Sequence, residues 1–487
     1  MLKTLSLLFV PALLFAQASP LDWKKLDAET REHFSAMVRI NSSNPPGNET
    51  LVVKYIQSVL EREGIPCKLV GADPNRLSLI ARLKGSGAKK PILIMGHTDV
   101  VGVQPERWSE DPFGAKLIDG YIWGRGTIDD KDLVAGALMT MLILKRTNAH
   151  LDRDVIFVAE SGEEGGGGAA PGAVPATRPT AARGGGGGRG AATYGIQYII
   201  QNNWPDIDAE YCLTEGGSFV STGGKVLYQR IELVEKVGRG MRLVAHGTAG
   251  HGSMPRMDNA IMHLGGAVWK IGQWQPPMNL TDVTRTYFEK LAQVAPPEDA
   301  QRYKDLFDSS KTEAAQDYFR KNNIEVNSML RTSISPNIIT GGFKSNVIPS
   351  EAEVTLDIRA IPGEDMDKFK AMMEKVIDDP QITIEAGNFQ APSPTPSTTG
   401  TEMYKMLETV QQKLFPGTAT LPYMVTGGTD MRGLRLKGMQ CYGIGAELPT
   451  EDMVTHAMHS DNERIKESGL YQFVHYEYEV VAGMAVR

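Results

Sequence analysis

The chain has 487 residues, of which 41% are hydrophobic and 22% are charged, and it carries a formal net charge of −7. This length suggests two or three domains, and the composition is that of a soluble globular protein. The chain is negatively charged and has no basic motif that would bind nucleic-acid phosphates, so we expect no nucleic-acid partner.

The first residues resemble a secretory signal peptide at 1–18. Lys3 precedes the apolar run LSLLFVPALLF, and the small-residue pattern AQA ends at Ala18. The run is too short to span a bilayer, although a retained anchor is the alternative. We therefore expect a periplasmic or secreted protein with no membrane contact after cleavage. The cysteines at 67, 212 and 441 are too widely spaced for a disulfide framework or a thiolate metal site.

Several short apolar runs predict an α/β layer. PILIMGHTDVV, DVIFVAES and EYCLTEGG have the length of buried strands, and DLVAGALMTMLILK that of a buried helix. Helices that alternate with all-apolar strands indicate a mostly parallel sheet. Such sheets bind ligands beyond the carboxyl ends of their strands, where His97, Glu163 and Glu215 fall.

The middle of the chain predicts a second, inserted domain. EVTLDIRAI alternates with period two, and DNAIMHLGGAVWKIGQW and MDKFKAMMEKVID are amphipathic helices. We assign residues 240–392 to this α+β domain, which APSPTPSTTG links to the returning α/β pattern. The larger domain is thus built from 19–239 and 393–487.

The tract at 165–192 contains only Gly, Ala, Pro, Arg, Val and Thr. Such a composition cannot offset the entropy of ordering, so we predict disorder. Without the tract, the remaining residues suffice for a crossover between parallel strands, and the tract therefore resembles an insertion. A sequencing or frameshift artefact is one hypothesis, which tryptic peptides spanning Arg178 and Arg183 would contradict.

One polar motif lies at the end of a predicted strand, and another lies directly before the predicted buried helix. His97 and Asp99 share one face of a strand, so Asp99 can orient a metal-ligating imidazole, unless the pair is only a polar strand end. In YIWGRGTIDDKD, Asp129 and Asp130 precede the buried helix, where an aspartate also commonly caps a helix.

Further acidic and imidazole groups fall on the same edge. Glu163 and Glu164 are adjacent at a strand end, where they repel unless they share a cation, are protonated or lie in a solvated loop. Glu215 ends a third strand, and His456 and His459 precede the last helix. Nitrogen and oxygen ligands without thiolate suit zinc or a similar divalent ion, and their number suits two metals that share a bridge.

The ordered motifs resemble a known family: the two-metal aminoacylase, acetylornithine deacetylase, succinyl-diaminopimelate desuccinylase and glutamate carboxypeptidase family of clan MH. The resemblance covers nearly the whole mature chain and rests on GHTDVV, GRGTIDDKD, ESGEE, TEGG, GHGSMP, NVIPSEAEVTLDIR, GGTDMR and MHSDNE. It implies a zinc-peptidase-like catalytic domain with an inserted ferredoxin-like domain that acts as a lid and forms a homodimer.

The resemblance also implies roles for individual residues. The implied metal ligands are His97, Asp129 as the bridge, Glu164, Glu215 and His459, with His456 as the competitor for the last place. Glu163 is the implied general base, Asp99 orients His97, and the peptide from Asp129 to Asp130 is expected to be cis. The implied substrate-binding residues are His251, Asn346, Arg359 and Arg432.

From these features we expect a metallohydrolase with two divalent ions, Zn²⁺ or alternatively Co²⁺ or Mn²⁺. Its expected substrate is an N-acyl amino acid or the C-terminal residue of a small peptide. An aminopeptidase or dipeptidase and a noncatalytic metal-binding homologue are the alternatives. Two departures from the family pattern are Asp132, where a glycine is usual, and the tract directly after Glu164.

Overall fold

The structure is a computed structural model that describes residues 21–165 and 194–487, without the side chains of residues 388 and 389. The predicted signal peptide at 1–18 and residues 166–192 of the predicted disordered tract lie outside the described residues.

The helices and strands fall into three consecutive segments of the chain. The first segment contains α1 (Trp23–Val38), β1 (Ser43–Asn44), α2 (Glu49–Arg62), β2 (Cys67–Val70), β3 (Ser78–Leu83), β4 (Ile92–His97), β5 (Val100–Val101), β6 (Lys116–Ile118), β7 (Tyr121–Trp123), α3 (Lys131–Arg146), β8 (Val155–Glu160), α4 (Gly195–Asn202), α5 (Trp204–Ile207), β9 (Tyr211–Thr214), β10 (Ser218–Thr222) and β11 (Lys225–Glu235). The second contains β12 (Val237–His246), β13 (Gly250–His251), α6 (Ala260–Gln273), α7 (Asp282–Val294), α8 (Pro297–Asp305), α9 (Thr312–Asn322), α10 (Ile324–Met329), β14 (Ser333–Gly341), β15 (Val347–Ile348), β16 (Glu351–Ala360), α11 (Met366–Ile377) and β17 (Ile382–Gln390). The third contains α12 (Glu402–Leu414), β18 (Ala419–Val425), α13 (Met431–Arg435), β19 (Gln440–Gly443), β20 (Glu447–Pro449), β21 (Arg464–Lys466) and α14 (Glu467–Ala485).

Ten of the described strands form a central sheet in the order β2-β3-β8-β4-β9-β19-β11-β10-β20, with β18 also paired with β11. Strands β8, β4, β9 and β19 at its centre run parallel. Every residue of β4 and β8 is buried, as expected for strands covered on both faces. The predicted α/β layer around a mostly parallel sheet is confirmed.

The predicted buried helix, α3, lies between this sheet and helices α1 and α14. All its residues from 131 to 144 are buried, which explains why the sequence is apolar around the whole helix. On the other face, α4 and α13 cover Cys212 and Cys441, which are core residues as predicted.

A second sheet has the antiparallel order β14-β16-β12-β17. Helices α6 and α11 pack on one face of it, where Leu264 and Phe369 meet Leu243 and Leu356. Strands β12, β14, β16 and β17 with these two helices form a β-α-β-β-α-β unit, and the predicted ferredoxin-like lid is confirmed.

The helices between α6 and β14 leave the lid sheet. Phe288 and Leu291 of α7 pack on Leu421 and Met424 of β18, at the central sheet. Residues 282–329 thus lie within the predicted lid segment but pack elsewhere, and the domain boundaries stay a prediction.

Two smaller features complete the fold. The helix predicted from about 463 begins at Glu467, because residues 464–466 pair with β7 as a strand. Within the described parts of the chain, none of the helices combines the length and apolarity needed to cross a bilayer.

Candidate metal centre

His97 ends β4 at the carboxyl edge of the central sheet. It is 1% exposed, and its Nδ1–H donates to the backbone oxygen of Asp99 at 2.9 Å. Because a carbonyl can only accept, this bond fixes a proton on Nδ1 and leaves Nε2 as the ligand atom. Nε2 lies 2.9 Å from Oδ1 of Asp129. The backbone of Asp99 therefore orients the imidazole, while its carboxylate Oδ1 lies 3.6 Å from Nδ1.

The Asp99 carboxylate holds the loop that carries the two glutamates. Its Oδ1 accepts the backbone N–H groups of Gly162 and Glu163 at 2.9 and 3.2 Å. Its Oδ2 accepts the backbone N–H of Glu164 at 3.1 Å and Nδ2 of Asn44 at 2.8 Å. Burial would raise the pKa of Asp99, but hydrogen bonds from His97 and Asn44 hold that pKa below its usual value. An ionised Asp99 thus ties the strand of His97 to the loop of Glu163.

Asp129 faces two histidines at once. Its Oδ1 lies 2.9 Å from Nε2 of His97, and its Oδ2 lies 3.0 Å from Nε2 of His459. Burial would raise the pKa of Asp129, but these two hydrogen bonds hold it well below its usual value. The Asp129–Asp130 peptide is cis, as the resemblance implied. Asp130 occupies the N-cap position of α3, but its side chain makes no capping hydrogen bond, and its Oδ2 accepts the backbone N–H of His97 at 3.0 Å instead.

His459, rather than His456, reaches this cluster. Its Nε2 lies 2.9 Å from Oε1 of Glu164. The Asp129 and Glu164 carboxylates raise the pKa of His459 to about 10. His456 is held elsewhere, with Nδ1 bonded to the backbone oxygen of Asn462 at 3.0 Å.

Further carboxyl groups crowd the same edge. Oε2 of Glu215 lies 3.9 Å from Nε2 of His97. Burial raises the pKa values of Glu163 and Glu215 well above the usual range, and the charges of neighbouring carboxylates raise them further. Burial and neighbouring carboxylates also raise the pKa values of buried Glu160 and of the nearby Asp430. So many acids can be ionised together only if cations join them.

The donor set fits a divalent metal. One ligand atom each from His97, Asp129 and Glu164 lie within 4.8 Å of one another. Imidazole nitrogen and carboxylate oxygen, with no thiolate at the site, are the ligands that zinc and similar ions take. The five predicted ligands, which come from five separate parts of the chain, therefore converge.

The lid residues do not reach this cluster within the described residues. His251 and Asn346 are exposed and adjacent, since His251 pairs with Val347 and Gly252 N–H donates to the Asn346 backbone oxygen at 2.9 Å. The Nδ1 of His251 bonds to its own loop, 2.7 Å from Ser253 Oγ.

The two predicted arginines have acidic neighbours instead. Arg359 donates Nε–H to Asp357 at 2.9 Å on the lid strand. Arg432, on α13 of the catalytic domain, has Nη1 3.8 Å from Oε1 of Glu235. Burial, and then the positive charge of Arg432, lower the pKa of Arg239.

Sequence reasoning missed the residues that support Asp99. Asn44 bonds to it across 55 positions of sequence. Arg76 Nη2 lies 3.9 Å from Asp99 Oδ2 and pairs with buried Glu49 at 2.6 Å. The segment SNPPGNET contains Asn44 and Glu49, but nothing in its sequence indicates which strand end it covers.

Comparison with known proteins identifies the family. The model of peptidase family M20/M25/M40 matches residues 93–482. The probable carboxypeptidase S-like 2 of Dictyostelium discoideum is 26% identical over 412 residues, which are 83% of this chain and 74% of the relative. The N-fatty-acyl-amino acid synthase/hydrolase PM20D1 of Homo sapiens is 27% identical over 348 residues, which are 70% of this chain and 64% of the relative.

A solved structure shares the fold. The M20 family metallo-carboxypeptidase Sso-CP2 of Sulfolobus solfataricus superposes with a TM-score of 0.63 at 19% identity, covering 93% of this chain and 98% of that one. The family match, which spans most of the sequence, includes the strands and loops that carry the cluster. The chain therefore belongs to peptidase family M20/M25/M40 and is a metal-dependent hydrolase of amide bonds.

Proposed function

We propose that this protein removes the acyl group from N-acyl amino acids or cleaves the C-terminal residue from small peptides. The observation that carries the proposal is the convergence of His97, Asp129, Glu164 and His459 directly beside Glu163. The similarity to a probable carboxypeptidase and to N-fatty-acyl-amino acid synthase/hydrolases supports substrates with a free carboxylate next to the scissile amide.

Two divalent ions would share Asp129. The two oxygens of Asp129 face different histidines, so Asp129 would be shared by both ions. His97 and Glu215 would hold one ion, and Glu164 and His459 would hold the other. We propose Zn²⁺, with Co²⁺ or Mn²⁺ as alternatives that accept the same donors. When bound, the ions would polarise the amide carbonyl and lower the pKa of the attacking water.

Glu163 is the proposed proton carrier. Its backbone N–H is anchored by Asp99, so its side chain has a fixed starting point beside the cluster. Burial raises the pKa of Glu163 above its usual value, which makes its carboxylate a stronger base for a proton from water. The same proton then passes from Glu163 to the leaving amide nitrogen.

Arg432 and Arg359 are the proposed partners of the substrate carboxylate, because a guanidinium can bind a carboxylate through two hydrogen bonds. Arg432 lies on the catalytic side and Arg359 on the lid side of the junction. His251 and Asn346 are proposed to meet the substrate from the lid. His251 would stabilise the oxyanion, a role that its exposed position allows after lid or partner movement.

A homodimer through the lid is part of the proposal. Strand β14 is an edge strand that pairs only with β16 among the described strands. Ile338, Ile339 and Phe343 on or beside it are 61%, 64% and 76% exposed, a pattern that marks interaction surfaces. Ile339→Asp should convert a dimer to a monomer in light scattering. Ile324→Asp, at a still more exposed isoleucine outside the lid sheet, should leave the dimer intact.

We also propose that the protein acts in the periplasm or outside the cell, because residues 1–18 have the pattern of a cleaved signal. Fractionation followed by N-terminal sequencing tests this. A cytoplasmic protein that retains Met1 would contradict it.

The decisive assay uses the zinc-loaded full chain on N-acyl amino acids, peptides with free C-termini, and dipeptides with or without a blocked amine. Hydrolysis of acyl amino acids or amine-blocked peptides supports the proposal. Activity restricted to free-amine substrates would indicate the aminopeptidase or dipeptidase alternative. Zinc binding without hydrolysis of any of them would indicate a noncatalytic homologue.

A further inference from the structure

A cavity of about 170 Å³ lies at the junction of the lid with the catalytic domain, apart from the metal centre. Its walls come from the end of α6, from α9 and α10, and from the start of β14. Its polar lining includes Arg331, Arg320, Asn327, Gln275 and Ser333. The family assignment gives this cavity no role.

Arg331 carries a buried charge without an acidic partner. The residue is 3% exposed. Its Nη1 donates to the Pro276 backbone oxygen at 2.6 Å and its Nη2 donates to Gln316 Oε1 at 2.8 Å, and both of these acceptors are neutral. Among the residues that the structure describes, its Nε has no partner and its Nη groups donate to no carboxylate. A buried cation is normally paired, so a counter-charge is lacking here.

A second guanidinium enlarges the unbalanced charge. Within the described part of the chain, Arg320 donates only to neutral oxygens, the carbonyls of Gly272 and Gln273 at 3.3 and 3.2 Å and Gln275 Oε1 at 3.4 Å. The Gln275 amide lies between both arginines, and with its oxygen and nitrogen exchanged it would accept from Arg331 at 2.7 and 2.8 Å. One neutral oxygen cannot compensate two cations.

Electrostatic effects agree with this geometry. Burial, and then the charge of Arg320, lower the pKa of Arg331 to about 10. Burial, and then Arg331 and Arg359, lower the pKa of neighbouring Lys236 to about 7. Lys236 Nζ donates to the hydroxyl of Ser333, another residue of the cavity wall, at 3.0 Å.

The nearby acids are engaged elsewhere. Asp357 is paired with Arg359, and Glu364 accepts the hydroxyl of Thr332 at 2.8 Å. The Asn327 Oδ1 is buried and also lacks a partner in the described chain. It can accept a hydrogen bond from a ligand hydroxyl, or present its NH₂ group after rotation.

We propose that this cavity is a binding site for a small oxyanion, a phosphate or a small carboxylate, held by Arg331 and Arg320. The volume equals that of about six waters, so it admits such an anion and excludes a peptide. Two guanidinium groups supply the planar donors that carboxylate and phosphate oxygens accept.

The cavity lies where strands of the lid join the catalytic domain. Lys236 directly precedes lid strand β12, Ser333 begins β14, and Thr332 Oγ1 accepts the backbone N–H of Ile361 after β16 at 3.1 Å. A bound anion would therefore stabilise the place where three lid strands join the catalytic domain, and would raise the melting temperature.

The test is calorimetric titration of the full zinc-loaded chain with sodium phosphate and, separately, sodium acetate at constant ionic strength. We expect saturable binding of at least one anion at one site per chain. Binding of phosphate alone or of acetate alone identifies the source. The titration is repeated after zinc removal, because anions also bind metals, and binding in the cavity should persist.

Arg320→Gln should weaken this binding at least tenfold, whereas Arg302→Gln, a matched arginine already paired with Glu298 and Asp299, should not. Arg331→Met should abolish the binding if the variant folds. If it does not fold, Arg320→Gln still tests the proposal, because Arg320 is only half-buried. Three results would overturn the proposal: no saturable binding of either anion, binding that disappears with zinc, or wild-type affinity in Arg320→Gln.

Discussion

Replacing Asp99 by asparagine should disable the enzyme without removing any metal ligand. The carboxylate accepts four N–H donors, two on each oxygen: Gly162 and Glu163 on Oδ1, and Glu164 and Asn44 on Oδ2. An asparagine amide keeps one acceptor oxygen and replaces the other by an NH₂ group. In either orientation, two donors therefore face another donor.

The cost can be worked from those bonds. A hydrogen bond to a charged group contributes roughly 1.5–3 kcal/mol, and the variant loses two of them. Since the loop that they hold carries Glu163, we assign about 3 kcal/mol of the loss to the barrier of the reaction. This corresponds to a decrease of about two orders of magnitude in kcat/KM.

The assay is kcat/KM on the best substrate of the panel, with metal content measured on the same samples. The matched control is Asp154→Asn at the opposite end of β8. Asp154 likewise accepts a backbone N–H, from Gly85 at 2.9 Å, and cationic donors, from Arg82 at 2.7 Å and Lys84 at 3.1 Å. This control should lower stability but keep kcat/KM. If Asp99→Asn stays within threefold of wild type, or if both variants lose activity equally, the assigned role of Asp99 is wrong.

Three further predictions concern the backbone, pH and the ligand set. Gly126→Ala should lower thermal stability and zinc affinity, because φ is +83° and the new Cβ would lie 2.5 Å from a valine side chain. Gly120→Ala, where φ is +80° and the new Cβ would enter open space, should lower stability without affecting zinc affinity. Equal zinc affinities of the two variants would contradict this prediction. Burial raises the pKa of Glu235 to about 7 from 4.5, so the folded state holds a proton that the unfolded chain releases between these pH values. Urea titrations give the free energy of unfolding of wild type and of Glu235→Gln at each pH. The difference, wild type minus variant, should fall by at most about 3 kcal/mol as the pH rises from 4.5 to 7.5. A difference that does not change with pH would refute the assignment. His459→Ala should lose at least one zinc per chain by elemental analysis while His456→Ala retains both; the reverse result would exchange their roles.

The ligand set is readable from sequence because its members occupy strand ends and short loops. His97 ends one buried strand and Glu215 directly follows another, and carboxyl ends of parallel strands meet at one edge whatever the details of packing. The choice between His456 and His459 required the family resemblance, because both lie in the same turn-rich segment.

Other features depend on contacts that no local pattern encodes. Asn44 reaches Asp99 across 55 positions, and its NPPG context indicates a turn but not a destination. The apolar faces of α7–α10 are evident in sequence, but amphipathicity does not say whether a helix packs on the lid sheet or on β18. Arg331 resembles any surface arginine until the fold buries it without an acid.

The most direct measurement compares zinc content and turnover of wild type with those of Glu163→Gln, on the same preparations and the same substrate. Glu163 is proposed to move the proton and Glu164 to hold metal, so the variant should retain two zinc ions per chain and lose at least a thousandfold in kcat. A general acid–base group commonly contributes 10²–10⁴-fold. Wild-type turnover by a fully loaded Glu163→Gln enzyme, or loss of zinc together with activity, would contradict the assignment of base and ligand to these two adjacent glutamates.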